Sequence, residues 1–138
     1  MIPLNPKLFD ADCEQVPIRK GYGLGLLEAG EKNRNVVALC ADLTESTQTH
    51  LFANKFPDRF IQTGIAEQNT IGIAAGLAMS GKIVYVYSII PFITMRCFEQ
   101  IRLDLAYNNA NVKIVGVGAG FTYGSMGSSH HATEDISI

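Results

Sequence analysis

One carboxylate in this sequence occupies a place where a carboxylate needs a chemical reason. Glu67 follows the short apolar run 60–62 and precedes the uncharged stretch 71–78, Ile-Gly-Ile-Ala-Ala-Gly-Leu-Ala. That stretch predicts a helix buried on nearly all sides. An ionised carboxylate in such surroundings costs several kcal/mol unless it is hydrogen-bonded. Glu67 therefore either caps its helix, where the N-terminus stabilises an anion by about 0.3–1 kcal/mol, or acts as a catalytic or ligand-binding acid.

Other residues capable of chemistry follow apolar runs elsewhere in the chain. Asp42 comes after the run 36–40, and it either caps the next helix or faces a site, since Asp is a preferred N-cap. His130 and His131 follow a glycine-rich segment, 116–127, which we interpret as a mobile loop over the substrate. We do not expect these histidines to bind zinc, because adjacent side chains diverge and no spaced Cys or His partners exist.

The elements that must position these residues alternate along the chain. Short apolar runs predict strands at 36–40, 60–62, 83–87 and 112–117, and the segments between them predict helices at 17–30, up to Phe56, 67–80 and 95–107. This alternation is typical of an α/β fold, a parallel sheet with helices on both faces.

The predicted sheet brings the candidate residues to one edge. Asp42, Glu67, Phe92 and His130 each follow a successive predicted strand. Ligand sites in open parallel sheets form at the carboxyl ends of the strands, so the sequence predicts one site there.

Composition limits the kind of protein. The 138 residues, 47% hydrophobic and 17% charged, suit one compact domain, which we assign to 16–138 behind an N-terminal arm, 1–15. A net charge of −2 without a basic cluster argues against nucleic-acid or lipid-surface partners. No window reaches the ~18–20 apolar residues of a membrane span. The odd number of scattered cysteines and the lack of an export signal predict reduced thiols in a cytoplasmic protein.

Four ordered motifs resemble one enzyme family. Residues 64–69 (Gly-Ile-Ala-Glu-Gln-Asn), with 75–78 (Ala-Gly-Leu-Ala) behind them, resemble the pyrimidine-binding domain of transketolases, which depend on thiamine diphosphate. Residues 41–46 resemble the first strand-to-helix loop of that domain, and 92–102 its aromatic loop and following helix. Residues 124–135 resemble its substrate-side loop. Related domains occur in 1-deoxy-xylulose-5-phosphate synthase and in 2-oxo acid dehydrogenase β-subunits.

The resemblance implies roles for two of these residues at the pyrimidine ring. Glu67 would hydrogen-bond the ring nitrogen N1′ and promote the imino tautomer of the 4′-amino group, the base that activates the thiazolium carbon. A neutral or proton-sharing carboxyl suits this role. Phe92 would stack on the ring, a contact that adds about 0.5–1.5 kcal/mol to area burial; alternatively it is an ordinary core residue. Ile89 stands where the family often has a second aromatic residue.

Further roles follow from the same resemblance. Asp42, with Leu43 beside it, would reach toward the thiazolium side across a subunit interface. Ile65 and Gln68 would flank the cofactor next to Glu67. His130 would hydrogen-bond the sugar substrate or its phosphate, and Tyr123 is a further candidate to face the site.

Some family features are missing from this sequence. It has no Gly-Asp-Gly motif, with which the family holds the diphosphate through Mg²⁺, so a separate N-terminal subunit would supply that half of the site. The chain ends at Ile138, before the helix and third domain with which the family continues. We therefore expect an incomplete pyrimidine-binding domain from the C-terminal subunit of a split transketolase, oligomeric and inactive alone. Gly72 and Gly76 predict close packing of their helix, either at a subunit interface or within the domain.

The expected reaction is the transfer of a two-carbon ketol unit between sugar phosphates. Two alternatives remain open: a fragment of a 2-oxo acid dehydrogenase β-type subunit or deoxyxylulose phosphate synthase, and a non-catalytic assembly domain. The sequences Asp-Leu-Thr-Glu-Ser at 42–46 and His-His-Ala-Thr-Glu-Asp at 130–135 favour the transketolase-like enzyme.

Overall fold

The described part of the chain forms a four-stranded parallel sheet. A computed structural model describes residues 4–138. Its strands are β1 (Val36–Cys40), β2 (Phe60–Gln62), β3 (Ile83–Ile89) and β4 (Val112–Val117), in the order β2-β1-β3-β4. The predicted α/β class is confirmed, and β1, β2 and β4 have the predicted bounds. β3 extends two residues beyond the predicted end at Tyr87.

Helices cover both faces of this sheet, as predicted. They are α1 (Ile18–Lys32), α2 (His50–Lys55), α3 (Glu67–Met79), α4 (Ile90–Ile93) and α5 (Phe98–Gln100), which continues into a π-helical segment (Ile101–Tyr107); Pro57–Arg59 and Gly124–Met126 form single 3₁₀ turns. None of the helices within residues 4–138 is both long and apolar enough to span a bilayer.

Successive residues of β1 face opposite sides of the sheet and divide the core into two apolar clusters. Leu39 packs with Ile71 of α3 and Val86 of β3 on one side. Ala38 packs with residues of α1 and α2, including Phe52, on the other. All five residues of β1 are buried because both of its faces are covered.

The segment 95–107 differs from the single helix predicted there. Helix α4 begins earlier, at Ile90. Pro91 is tolerated in its first turn, because N–H groups there have no partner within the helix and proline has none. The chain then turns before α5, and the π-helical segment follows without a break. The spacing of Phe98, Ile101 and Leu105 suits both an α-helix and a π-helix, so the apolar pattern could not distinguish the two.

Helix α3 has an open face, so the prediction of burial on nearly all sides is wrong. Asn69, Gly72, Gly76 and Met79 are exposed along this face. A Cβ atom added at Gly72 or Gly76 would meet no atom within 4 Å. The glycines therefore do not serve packing within the domain, and the alternative of a subunit interface remains a prediction.

A close approach between helices explains Gly30 at the end of α1. A Cβ atom there would lie 2.5 Å from Cε2 of Phe52 and 2.9 Å from a ring carbon of Phe56. We expect Gly30→Ala to lower the free energy of unfolding by about 1–3 kcal/mol through overpacking. Gly25→Ala is the control, because Gly25 is exposed on the same helix with nothing within 4 Å. It should raise stability by up to about 1 kcal/mol. Urea unfolding measures both, and a Gly30→Ala variant as stable as wild type would contradict the packing.

Candidate functional site

Glu67 is the first residue of α3 and is buried at the carboxyl edge of the sheet. Gly64, with a φ of 72°, turns the chain from β2 toward the helix, a conformation that glycine adopts at little cost. The Thr63 hydroxyl donates to the Cys40 carbonyl at 3.1 Å and lies 2.6 Å from the Thr70 hydroxyl, which fixes this turn to β1 and α3. Only 4% of the Glu67 side chain is exposed.

Arg96 satisfies the buried carboxylate. Its Nη1 donates to Oε2 of Glu67 at 2.8 Å, a charge-assisted hydrogen bond. Among the described residues this is the only hydrogen bond to the Glu67 side chain, and α3 has no side-chain cap. Glu67 therefore makes no capping hydrogen bond, but it lies in the first turn of α3, where the helix dipole favours an anion, so the capping alternative stays open. The carboxylate forms an ion pair with Arg96, and its Oε1 has no donor within residues 4–138.

The same arginine links Glu67 to two other predicted site residues. The Arg96 backbone carbonyl accepts a hydrogen bond from Nε2 of Gln68 at 2.9 Å. Its guanidinium carbon lies 4.5 Å from the centroid of the Phe92 ring. Phe92 is half-buried and belongs to neither apolar cluster, so the alternative that it is a core residue is wrong. The sequence interpretation gave Arg96 no role, although it is the one cation in the aromatic segment 92–98.

His130 lies against the other predicted residues through Phe92. The two rings meet edge to face with centroids 5.0 Å apart, and the Tyr123 ring is 5.8 Å from His130. The Ser129 hydroxyl lies 3.0 Å from Nδ1 of His130. His131 packs elsewhere, with its ring 5.0 Å from that of Phe121. Glu67, Arg96, Phe92 and His130 thus form a continuous series of contacts.

Two separate cavities divide the remaining predicted residues. A cavity of about 300 Å³ beside the buried acid is lined by Ile65, Ala66, Glu67, Gln68, Asn69 and Arg96. Another of about 310 Å³ is lined by residues 42–46, including Asp42 and Leu43. Within the described chain, Asp42 and Leu43 therefore do not share the cavity of Glu67.

Asp42 has an unusual backbone conformation rather than a capping role. Its φ is 58°, and its N–H donates to Oε1 of Gln62 at 2.7 Å. Nε2 of Gln62 in turn donates to the Thr44 hydroxyl at 2.8 Å. Helix α2 begins only at His50, after a series of turns, so the alternative that Asp42 caps it is wrong. A non-glycine residue at positive φ stores strain, which often marks a functional loop.

A cation-rich cavity of about 710 Å³ lies away from these residues, next to the amino ends of the strands. Arg59 in its wall donates to the carbonyls of Gly30 and Asn33 at the end of α1, at 3.0 and 3.1 Å. Lys55 pairs with Glu31. Positive charges at helix C-termini complement the helix dipole, so we assign no catalytic role to this cavity.

Cys97 is buried directly behind the site. Its thiol donates to the Phe92 carbonyl at 3.2 Å. Burial, and secondarily the charge of Glu67, raises the pKa of the Cys97 thiol to about 11. The nucleophilic thiolate is therefore scarce at neutral pH.

Thiol labelling at pH 8 should distinguish the cysteines. We expect iodoacetamide to modify Cys13, which is partly exposed, and to leave Cys40 and Cys97 unmodified in the folded protein. All three should react after unfolding in guanidinium chloride, the control for reagent access. Mass spectrometry of tryptic peptides reads the result. Modification of Cys97 at the rate of Cys13 would contradict its burial and raised pKa.

Within residues 4–138, no three His, Cys, Asp or Glu side chains lie close enough together to hold a metal ion. The residues gathered around Glu67 instead offer one buried acid, one cation, an aromatic face and an imidazole. This set suits a flat heterocycle that carries a hydrogen-bonding ring nitrogen.

The chain is similar to known transketolase proteins. A family model described as "Transketolase, pyrimidine binding domain" matches residues 14–138. A "Putative transketolase C-terminal section" of Methanocaldococcus jannaschii is 54% identical over 121 residues, which are 88% of this chain and 38% of that protein. A relative from Phocaeicola vulgatus, described as a subunit of apulose-4-phosphate transketolase, is 42% identical over 123 residues, 89% of this chain and 39% of that protein.

A solved structure supports the same relationship. The structure described as "Split gene transketolase, inactive beta4 tetramer" has a TM-score of 0.76 and 44% identity to this chain. The match covers 89% of this chain and 39% of the solved one. The chain thus spans about two-fifths of the length of the relatives that it matches.

Proposed function

Because this chain belongs to the transketolase pyrimidine-binding domain family, we propose that it forms the pyrimidine half of a thiamine diphosphate site in a transketolase-like enzyme. The observation that carries this proposal is the burial of Glu67. Its side chain is 4% exposed, lies beside a cavity and is joined through Arg96 to an aromatic face.

The residues present fit the aminopyrimidine ring. Oε1 of Glu67 has no hydrogen-bond partner among the described residues and is available to a ring nitrogen. Phe92 supplies a flat apolar face. The cavity beside Glu67, about 300 Å³, is at the lower limit of ligand sites, as expected for half a site.

The residues present do not fit the diphosphate. The sequence lacks a Gly-Asp-Gly motif, and residues 4–138 contain no cluster of metal-ligating side chains. We therefore assign Mg²⁺ and the diphosphate to a separate N-terminal subunit. Relatives described as a C-terminal section and as one subunit of a transketolase support this division of the site.

Each residue of the candidate site then has a proposed role. When bound, thiamine diphosphate supplies the nucleophilic thiazolium carbon for ketol transfer between sugar phosphates. Glu67 holds a shared proton at the pyrimidine N1′, and its burial excludes water from that hydrogen bond. Phe92 orients the ring. His130, at 5.0 Å from Phe92, hydrogen-bonds the sugar or its phosphate. Asp42 and Leu43, in their own cavity, face the site of a neighbouring subunit.

We also propose that the chain works in an oligomer and is inactive alone in the cytoplasm. The open face of α3, with Gly72 and Gly76, offers a close-packing surface to a second subunit. The solved relative described as an inactive tetramer supports inactivity without a partner. The names of the relatives favour ketol transfer over 2-oxo acid dehydrogenation or deoxyxylulose phosphate synthesis.

Reconstitution tests this proposal. The protein that carries this chain is mixed with its diphosphate-binding subunit, thiamine diphosphate and Mg²⁺, and transfer from a ketose phosphate to an aldose phosphate is measured. We expect activity only in the complete mixture. Activity of either component alone would contradict the shared site. A mixture in which the two subunits associate but no product forms would favour the alternative of a non-catalytic assembly domain. Product formed from pyruvate instead would favour the other two enzyme classes.

A further inference from the structure

A single side chain covers both groups that the proposed function assigns to the pyrimidine ring. The Arg96 guanidinium donates to Glu67 at 2.8 Å and lies 4.5 Å from the centroid of Phe92. Oε1 of Glu67 is free to accept from a ring nitrogen, but a ring that reaches it while stacking on Phe92 must enter the space that the guanidinium occupies. Arg96 and the ring therefore compete for this part of the site.

The backbone of Arg96 is fixed, but its side chain is free to move. Gln68 holds the Arg96 carbonyl at 2.9 Å, and the Arg96 N–H donates to the Pro91 carbonyl at 3.2 Å. The neighbouring Cys97 is fully buried. In contrast, 46% of the Arg96 side chain is exposed, so the guanidinium can turn into water without disturbing the core.

The energetic role of Arg96 differs between the two states. Without a ligand, a buried carboxylate that lacks a partner would be strongly unfavourable, and Arg96 removes that penalty. With the ring in place, Glu67 gains a new partner and the ion pair becomes dispensable. The pairing thus stabilises the unliganded site and must be given up on binding, which lowers affinity.

We propose that Arg96 is a positioning residue that holds Glu67 until the cofactor ring displaces it, and that it thereby weakens thiamine diphosphate binding. This inference rests on the proposed function. It concerns Arg96 alone. To the roles assigned above it adds a competition between Arg96 and the cofactor ring, which lowers the affinity for the cofactor. It predicts that removing the guanidinium tightens binding, whereas loss of a permanent cofactor contact would weaken it.

Calorimetric titration of thiamine diphosphate into the complete two-subunit protein with Mg²⁺ tests the proposal. We expect Arg96→Gln to lower the dissociation constant about fivefold, the scale of a partly exposed ion pair. Arg96→Lys keeps the charge and should restore an affinity within about twofold of wild type. Arg102→Gln is the matched control, because it removes the same charge from another Arg–Glu ion pair. Arg102 lies 3.2 Å from Glu99, and both side chains are more than half exposed.

The unliganded protein provides a second measurement. Arg96→Gln should lower its melting temperature and enlarge the rise that the cofactor causes, because only the unliganded state loses a partner for Glu67. Arg96→Met, which keeps the aliphatic stem, replaces the glutamine variant if that one fails to fold. In a Glu67→Gln background, Arg96→Gln should leave the dissociation constant unchanged.

The outcomes separate this inference from the proposed function. Weaker or unchanged binding by both Arg96→Gln and Arg96→Met, while Glu67→Gln impairs binding, would overturn the role of Arg96 and leave the site intact. Failure of wild type to bind thiamine diphosphate would overturn both proposals.

Discussion

Replacing Glu67 with glutamine should lower the rate of ketol transfer by about 10²- to 10⁴-fold, the range associated with a positioned acid or base. Glutamine has nearly the same shape as glutamate but cannot hold a transferable proton at the pyrimidine N1′. The change removes the buried charge that Arg96 compensates at 2.8 Å, and Arg96 itself is partly exposed, so the fold should persist. Steady-state kinetics of the reconstituted enzyme at saturating cofactor measure the effect on kcat.

Glu99→Gln is the matched control for this prediction. Glu99 also pairs with an arginine, Arg102, but its side chain is 57% exposed on the outer face of α5. The same chemical change there should leave kcat unchanged. Equal activity of Glu67→Gln and wild type would remove Glu67 from the reaction.

Replacing His130 with alanine should reduce kcat/KM for a phosphorylated sugar by about 10- to 150-fold, the value of a hydrogen bond to a charged group at about 1.5–3 kcal/mol. The His130 ring lies between Phe92 and Tyr123, at 5.0 and 5.8 Å, where we propose that it faces the substrate. Affinity for thiamine diphosphate should change little, because the proposed function assigns the pyrimidine ring to Glu67 and Phe92. Kinetics and cofactor titration on the same preparation separate the two effects.

His131→Ala is the natural comparison, since this adjacent histidine points to Phe121 and the Gly124 carbonyl, 3.4 Å away. It should retain most of the activity. A larger loss of kcat/KM in His131→Ala than in His130→Ala would show that the roles of the two histidines are assigned the wrong way round.

Much of the fold could be predicted because its strands are short apolar runs with clear ends. The run 36–40 is buried on both faces and has no other stable place in a layered α/β domain. The helix after Asp42 was harder to predict. Thr47 and Thr49 bond to the carbonyls of Leu43 and Thr44 and hold the chain in turns, so α2 starts only at His50. Such side-chain bonds compete with a helix without changing the hydrophobic pattern.

The sequence indicates which residue types could form the candidate site, but not which of them are in contact. Glu67 could be named as a candidate because an acid before an uncharged helix is unusual. Arg96 could not, because nothing in the sequence indicates that a residue 29 positions later meets that acid. The separate cavity of Asp42 likewise depends on how loops pack in three dimensions. Exposure of Gly72 and Gly76 could not be predicted, since small residues suit a buried and an open helix face equally.

The structure of the two-subunit protein with thiamine diphosphate and Mg²⁺ bound tests the central claim most directly. We predict a carboxylate oxygen of Glu67 within about 2.5–3.2 Å of the pyrimidine N1′, the range of a hydrogen bond. A pyrimidine ring bound elsewhere, with Glu67 still paired only with Arg96, would contradict the assignment of this chain to the pyrimidine half of the site.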